Sequence, residues 1–205
     1  MSPTIEVRRH RDDELSTLIA VATRAFWDDP LFNFFSPDLL RQHRSMPGFF
    51  AAAVYDCARY GEVWTATIGE TIVGVAMWLP PGVHPPTGGL RAVRQMRHAT
   101  PTIARSPQRV TAIKLMNEIT RHHPTEPHWY LEVLATDPKF QARGVGKALL
   151  APILDRADTE GLSVYLETQK ESNLAYYQRF RFEVGETLRV AGSPPVWTMI
   201  RQPHS

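Results

Sequence analysis

Cysteine is almost missing from the chain, because Cys57 is the only one among 205 residues. A single thiol excludes an internal disulfide and favours a reducing, cytoplasmic setting for the protein. Cys57 lies in the apolar stretch FFAAAVYDCARYG, so a small buried core residue is its expected role.

Long hydrophobic runs and a large net charge are missing as well. The most apolar stretch, IVGVAMWLPPGV, is broken by two prolines and is shorter than the roughly 20 residues that cross a bilayer. The first residues, MSPTIEVRRHRDDE, contain no apolar core of a secretion signal. A formal net charge of +2 gives no general attraction for nucleic acid or acidic membranes. We therefore expect no nucleic-acid or membrane partner, and both a monomer and a homodimer stay open.

Acidic residues are absent from residues 71–117, although six arginine and lysine side chains lie there. Three of them, Arg91, Arg94 and Arg97, share one face of a predicted helix. A solvated basic face is the first interpretation, and a specific anion or partner site is the alternative.

A metal-ligand pattern is also missing. The segment RHHPTEPH brings His122, His123, Glu126 and His128 together in the sequence. Its prolines indicate a loop, and its spacing matches no standard zinc site. We therefore predict no metal.

What the chain does contain is an alternation of strand and helix patterns, typical of one α/β (α+β) domain over residues 1–205. A strand at TIEVRRH precedes a helix at RDDELSTLIAVATRAF, an aromatic loop at WDDPLFNFFSPD and a second helix over residues 39–60. A hairpin, a helical insert over about residues 88–123 and a strand at HWYLEVLATDP follow. A helix, a strand, a short helix and a final hairpin end the chain. The order predicts a mixed, mostly antiparallel central sheet flanked by helices.

The stretch QARGVGKALL places two glycines between a strand pattern and a helix pattern. A nucleotide P-loop is excluded because Gln141 and Ala148 stand where it needs glycine and Ser or Thr. A dinucleotide fingerprint is excluded because Leu149 replaces its third glycine. What remains is Q-x-x-G-x-G at a helix start, where unpaired N–H groups and the helix dipole favour a pyrophosphate. A plain tight turn is the alternative.

The loop lies within residues 128–185, a segment that resembles the GNAT acetyltransferase superfamily. WYLEVLATDP and YLETQKESNLAYYQRFRF are most similar to the branch that contains puromycin N-acetyltransferase. A weaker likeness in AFWDDPLFNFFSPD and the following hairpin extends the resemblance to most of the chain. It implies a single GNAT-like domain that uses acetyl-CoA as co-substrate.

The resemblance also implies a cofactor site in two parts. In this family the strand before the loop splays from its neighbour and pairs with the pantetheine arm, while the loop amides hold the pyrophosphate. Such a division is physically sensible, since an extended arm adds like a strand and a helix start takes an anion. The implied pantetheine residues are Leu134, Ala135 and Thr136. The implied pyrophosphate residues are Gln141, Ala142, Arg143, Gly144, Val145, Gly146 and Lys147.

NLAYYQRFRF matches the family's Asn…Tyr…Gly-Phe pattern, except that Arg181 stands where a glycine is usual. Asn173 is implied to bind the cofactor near its thioester. Tyr177 is implied to be the general acid, since a leaving thiolate, with a thiol pKa of about 8.5, can take a proton from a phenol. Tyr176 is expected to be an aromatic residue that packs the short helix.

Attack on a thioester needs a neutral amine, so a base or a water chain must remove a proton first. Glu132 and Glu167 lie within central strand patterns, where a charge is costly unless it is paired or functional. Glu132 is the predicted base, and alternation places it on the face of Tyr130 and Leu134. Glu167 is assigned to the substrate side. Glu167 and a water chain stay open as alternative bases.

Asp28 and Asp29 lie in a segment that resembles the family's acceptor loop, and their carboxylates are expected to face solvent. Next to Phe26 and Trp27, they suit a cationic amine. The predicted function is N-acetyl transfer to a small-molecule amine. The alternative is a catalytically inactive sensor or interaction module that binds acyl-CoA.

Overall fold

A computed structural model describes residues 4–83, 89–93 and 106–204. Its strands are β1 (Ile5–Arg9), β2 (Glu62–Ile68), β3 (Thr71–Leu79), β4 (His128–Thr136), β5 (Ser163–Thr168), β6 (Glu183–Leu188) and β7 (Val196–Arg201). Its helices are α1 (Leu15–Ala25), α2 (Pro30–Phe35), α3 (Leu39–Tyr60), α4 (Arg109–His122), α5 (Val145–Glu160) and α6 (Ser172–Gln178).

The strands form one sheet in the order β1-β2-β3-β4-β5-β7-β6. Only the β4–β5 pair is parallel, and the other five neighbouring pairs are antiparallel. The predicted mixed, mostly antiparallel sheet in a single α/β domain is therefore confirmed.

Helices cover both faces of the sheet. On one face α1 and α3 bury Leu18 and Phe50 against β3 and β4, where Val133 and Ala135 join them. On the other face α5 packs over β1 to β5. Successive β4 residues thus enter different cores, and β4 becomes the element that both layers share.

A short helix, α2, replaces the predicted aromatic loop. The Asp29 carboxylate accepts a hydrogen bond from the Leu31 N–H at 2.9 Å, and Pro30 occupies the first helical position. These are start signals for a helix, and burial of Phe32 and Phe35 holds the turn in place. The prediction of a loop was wrong because two prolines were interpreted as breakers.

The helical insert is described in part, by residues 89–93 and by α4, whereas residues 94–105 with Arg94 and Arg97 lie outside the described residues. Arg91 does not belong to a solvated face. Its Nε donates to Asp56 of α3 at 2.9 Å, and its guanidinium lies 4.6 Å from the centre of the Tyr60 ring. The expectation of a solvated face was wrong for Arg91, because α3 supplies a buried carboxylate.

No helix in the described parts of the chain combines the length and the apolar character that spanning a membrane requires.

Candidate active site

The middle of the sheet is open between β4 and β5. The two parallel strands pair only from His128 to Tyr130 on the β4 side. On its other edge β4 stays paired with β3 as far as Thr136. The second half of β4, including Leu134 and Ala135, therefore turns backbone groups towards the gap, where an extended molecule can add as a strand.

A bulge lies in β4 at Glu132. Leu131 and Val133 pair with adjacent residues of β3, so the ladder skips Glu132. The bulge changes the alternation: Glu132 meets Cys57 of α3, whereas Leu134 packs in the core under α5. The prediction that Glu132 and Leu134 share a face was therefore wrong.

The glycine loop forms the start of α5. Gly144 precedes the helix with a φ of 87°, a left-handed conformation that favours glycine. The first helical hydrogen bond runs from the Ala148 N–H to the Gly144 carbonyl, so the N–H groups of residues 145–147 point out of the helix start. A Cβ at Gly146 would lie 2.3 Å from the Tyr176 hydroxyl oxygen. The loop thus combines a close backbone approach with the positive end of a helix dipole.

A cleft of about 1020 Å³ joins the open edge of β4 to this helix start. Most of the predicted cofactor residues line it, and so does the predicted acid. The predicted residues in its wall are Asp29, Leu134, Thr136, Gln141, Ala142, Gly144, Val145, Gly146, Lys147, Asn173 and Tyr177. The predicted residues outside its wall are Asp28, Glu132, Ala135, Arg143 and Glu167.

Two cations in the cleft wall were missed by sequence reasoning. Lys170 precedes α6 and Arg179 follows it, and both line the cleft together with Lys147. The Arg179 guanidinium lies 4.9 Å from the centre of the Tyr176 ring. Positive residues on either side of the Asn173–Tyr177 segment were the signal that could have found them.

The two tyrosines of α6 occupy different environments. Tyr177 is 8% exposed, contacts Phe182 edge-on at a centroid distance of 5.7 Å, and lines the cleft. Burial raises the pKa of Tyr177 above its ordinary value, so the phenol stays protonated at neutral pH. The Tyr176 hydroxyl is buried over the glycine loop without a hydrogen-bond partner among the described residues. Asn173 donates to the Thr168 hydroxyl at 3.0 Å, which fixes its amide at the end of β5.

Arg181 stands where the family usually has glycine. Its φ is 65°, in the left-handed region that residues other than glycine adopt at a cost of about 1 kcal/mol. Its guanidinium lies 3.5 Å from the Asp158 carboxylate, which Arg201 also holds. The turn after Tyr177 therefore keeps the glycine-type conformation despite the substitution.

Glu132 lies on the α3 side of the opening in a polar cluster. The Cys57 thiol donates to its carboxylate at 3.0 Å. Burial raises the pKa of Glu132 to about 7. The negative charges of Asp56 and Glu167 act in the same direction, while the Cys57 hydrogen bond and the Arg91 charge act against it. Cys57 is buried as expected, and it also makes a polar contact that composition does not predict.

Glu167 lies on the same side of the sheet. The Tyr130 hydroxyl donates to Glu167 Oε2 at 2.8 Å, and His123 Nδ1 lies 3.6 Å from Glu167 Oε1. The side chains of Glu167 and His123 are only 6% and 11% exposed. Sequence reasoning missed His123 as a neighbour of Glu167, because it considered this histidine only as a possible metal ligand.

Asp28 and Asp29 separate in the structure. Asp28 is exposed as expected, but Asp29 is 4% exposed, since its carboxylate starts α2 and lines the cleft. Burial raises the pKa of Asp29, and the Leu31 N–H and the Lys170 charge oppose that shift. The prediction that both carboxylates face solvent was wrong for Asp29.

Comparison with known proteins gives the same fold and a family. An uncharacterised N-acetyltransferase of Schizosaccharomyces pombe is 32% identical over 80 residues, which are 38% of this chain and 32% of that protein. The chain therefore matches about a third of that curated relative.

Two solved structures cover nearly the whole chain. A protein of Corynebacterium glutamicum described as histone acetyltransferase HPA2 and related acetyltransferase has a TM-score of 0.71 at 23% identity, over 100% of this chain and 98% of that one. A polyamine N-acetyltransferase of Drosophila melanogaster has a TM-score of 0.62 at 15% identity, over 97% and 100%. These likenesses show the fold. The sequence profile of the acetyltransferase (GNAT) family matches residues 22–182, well over half of the chain, and the chain therefore belongs to the GNAT acetyltransferase family.

Proposed function

We infer that the protein transfers the acetyl group of acetyl-CoA directly to the primary amine of a small, cationic acceptor. Acetyl transfer follows from the family, and the acceptor class is the further step. The observation that carries acetyl transfer from acetyl-CoA is that the open half of β4 is continuous with the cleft at the start of α5. Leu134 and Thr136 belong to both. The likeness to the branch with puromycin N-acetyltransferase is a prediction within this proposal.

GNAT enzymes use acetyl-CoA as co-substrate, and the residues present fit it. The free edge of β4 suits an extended arm, and the amides at the start of α5 suit a pyrophosphate. Lys147, Lys170 and Arg179 add positive charge around the cleft, which matches a polyanion. Bound in this way, the cofactor supplies the thioester carbonyl that the amine attacks.

The residues at the opening can handle the protons of the reaction. A base with a pKa near the working pH is the most effective, and Glu132 has a pKa of about 7. It takes a proton from the ammonium group, the C–N bond forms, and the C–S bond breaks. Tyr177 gives its proton to the leaving thiolate, and the nitrogen of the new C–N bond loses its second proton to water. Solvent then returns a proton to Tyr177 and takes one from Glu132.

A cationic acceptor is supported by the carboxylates around the opening. Asp29 lies in the cleft wall, and Glu132 lies on the α3 side of the sheet. An ammonium ion is attracted to such groups before it loses its proton. The Drosophila structure is described as an enzyme that forms N-acetylagmatine, a product of a cationic amine. Its named product guides the choice of acceptors to test.

The test is thiol release from acetyl-CoA with agmatine, a diamine, an aromatic monoamine and glutamate as acceptors, with mass spectrometry of the products. We expect acetylated cationic amines, formed about tenfold faster or more than acetylglutamate. Faster reaction with glutamate would contradict the acceptor class. Tight acetyl-CoA binding by calorimetry without turnover of any amine would instead support the inactive binding module.

A further inference from the structure

A chain of polar side chains leads away from the opening on the α3 side, and neither the proposed base nor the proposed acid uses it. The His123 ring lies between two partners, with its Nε2 3.1 Å from His128 Nε2 and its Nδ1 3.6 Å from Glu167 Oε1. His128 is 2% exposed, so this row of polar side chains is almost enclosed.

A backbone carbonyl determines which ring nitrogens of His128 and His123 carry protons. His128 Nδ1 lies 2.6 Å from the Glu126 carbonyl oxygen, so Nδ1–H is the donor there. The Nε2 of a neutral His128 is then an acceptor, and His123 must donate to it from Nε2. A neutral His123 would therefore turn the lone pair of Nδ1 towards a carboxylate oxygen. That contact becomes attractive only when one more proton lies between His123 and Glu167.

The contact between His123 and Glu167 lies in an enclosed place. The rings of Tyr130 and Tyr165 lie 5.0 and 4.9 Å from the His123 ring, centre to centre, and enclose it edge-on. An isolated carboxylate charge is costly in so enclosed a place, and the hydroxyl donated by Tyr130 offsets only part of that cost. Sharing a proton with His123 leaves the pair without net charge.

The charge of this pair acts on Glu132. A negative Glu167 is one of the contributions that raise the pKa of Glu132. The other groups that face Glu132 are Cys57 and Asp56 of α3, Arg91 from residues 89–93, and Tyr130 of its own strand. Arg91 is already bound to Asp56, so the His123–Glu167 pair is the variable neighbour.

We propose that His123 is a positioning residue of the reaction: it holds one proton between its ring and Glu167, so that Glu132 faces a pair without net charge. Without the charge of a second carboxylate, Glu132 gives up its proton more readily than it would beside an ionised Glu167. The consequence for catalysis rests on the proposed function, whereas the electrostatic effect on Glu132 does not.

The direct test is a pH titration of Glu132 in the free protein. Infrared difference spectroscopy monitors its carboxyl group, and Glu132→Gln serves as the reference. His123→Gln keeps a donor for His128 but cannot take up a proton. We expect it to move the titration of Glu132 upwards by about one pH unit, since Glu167 is left with an uncompensated charge. Glu167→Gln alone should move it little, and the double variant should return it to the wild-type position.

Two results would overturn the proposal. One is a Glu132 titration that His123→Gln leaves within about 0.3 units of the wild type. The other is a double variant that keeps the shift of the single variant, because the effect would then come from disturbed packing. In acetyl transfer, the acid limb of kcat/KM should follow the same pattern across the three variants. Absence of acetyl transfer in the wild type, with the expected infrared shifts, would refute the proposed function and leave the electrostatic pair standing.

A measurement on the wild type covers the case in which His123→Gln fails to fold. Nitrogen-15 spectra of the imidazoles should show a protonated Nε2 in His123 and a bare Nε2 in His128. The reverse assignment would refute the proposal, because His123 Nδ1 would then donate without any extra proton.

Discussion

The two sides of the opening are assembled in different ways. The proposed cofactor side consists of two short segments, residues 134–147 and 170–180, whose chemistry is that of a free strand edge and a helix start. The proposed acceptor side gathers single side chains from distant elements, with Cys57 from α3, Arg91 from the insert, and Glu132 and Glu167 from two strands. Backbone geometry therefore sets the first side, and tertiary packing sets the second.

The largest expected effect tests the cofactor side. Gly146→Glu places a side chain and a negative charge where the N–H groups of α5 converge, and its Cβ alone would meet the Tyr176 hydroxyl. We expect acetyl-CoA affinity to fall about 100-fold or more, as measured by calorimetry, with the fold retained by circular dichroism. Thr159→Glu adds the same charge near the other end of α5 and should leave the affinity nearly unchanged. Unaltered affinity in Gly146→Glu would remove the loop from the site.

The second effect tests the proposed acid. Tyr177→Phe keeps the ring that packs on Phe182 and removes only the hydroxyl. We expect kcat to fall by roughly 10²-fold, with little change in acetyl-CoA affinity. Tyr176→Phe is the matched control on the same helix and should change kcat far less. If the two variants exchanged these effects, the acid would be Tyr176, whose hydroxyl lies over the loop.

Sequence reasoning succeeded where local chemistry decides the structure. The glycine spacing at Gly144 and Gly146 indicated the helix start, and the Gly69-Glu70 turn between two strand patterns indicated the hairpin. The seven-stranded sheet followed from the order of these elements.

Sequence reasoning failed where partners come from far along the chain. The bulge at Glu132 depends on the register with β3, which no periodicity in β4 reveals. The pairing of Arg91 with Asp56 and the contact of His123 with Glu167 join elements 35 and more residues apart. Asp29 was misjudged for a local reason, because the start signal of α2 was hidden among prolines.

The third effect tests whether the acceptor side is kept at a cost in stability. The pKa of Glu132 is raised from 4.5 to about 7 in the folded protein, so its charged form opposes folding once the pH passes the unfolded value. Glu132→Gln should therefore stabilise the protein by on the order of 2 kcal/mol at pH 8 and by little near pH 4, as measured by urea unfolding at both pH values. The exposed Glu183→Gln is the control. Equal stability of Glu132→Gln and the wild type at pH 8 would mean that Cys57 and Arg91 fully compensate the charge.

The smallest effect separates Asp29 in the cleft wall from its exposed neighbour Asp28. Asp29 lines the cleft and is buried, whereas its neighbour Asp28 is exposed, so the pair forms its own matched control. Asp29→Asn keeps a side-chain oxygen that can accept from the Leu31 N–H and should preserve α2. We expect it to raise the KM of a cationic acceptor roughly 3- to 10-fold and to weaken the salt dependence of that KM, with acetyl-CoA affinity unchanged. Asp28→Asn should stay within about twofold, since solvent screens its charge.

The same pair of variants gives a pH signature. Burial raises the pKa of Asp29. When the solution is made more acidic, Asp29 therefore becomes neutral, and stops attracting a cation, at a higher pH than an ordinary carboxylate. The difference in KM between the wild type and Asp29→Asn should therefore be full near pH 8 and should shrink towards acid pH. A KM that Asp29→Asn leaves unchanged, or a larger effect from Asp28→Asn, would mean that the acceptor meets the exposed carboxylate at the rim and does not enter beside α2. The acceptor side would then extend outwards from the opening, and Asp28 would replace Asp29 as the carboxylate that attracts the cation.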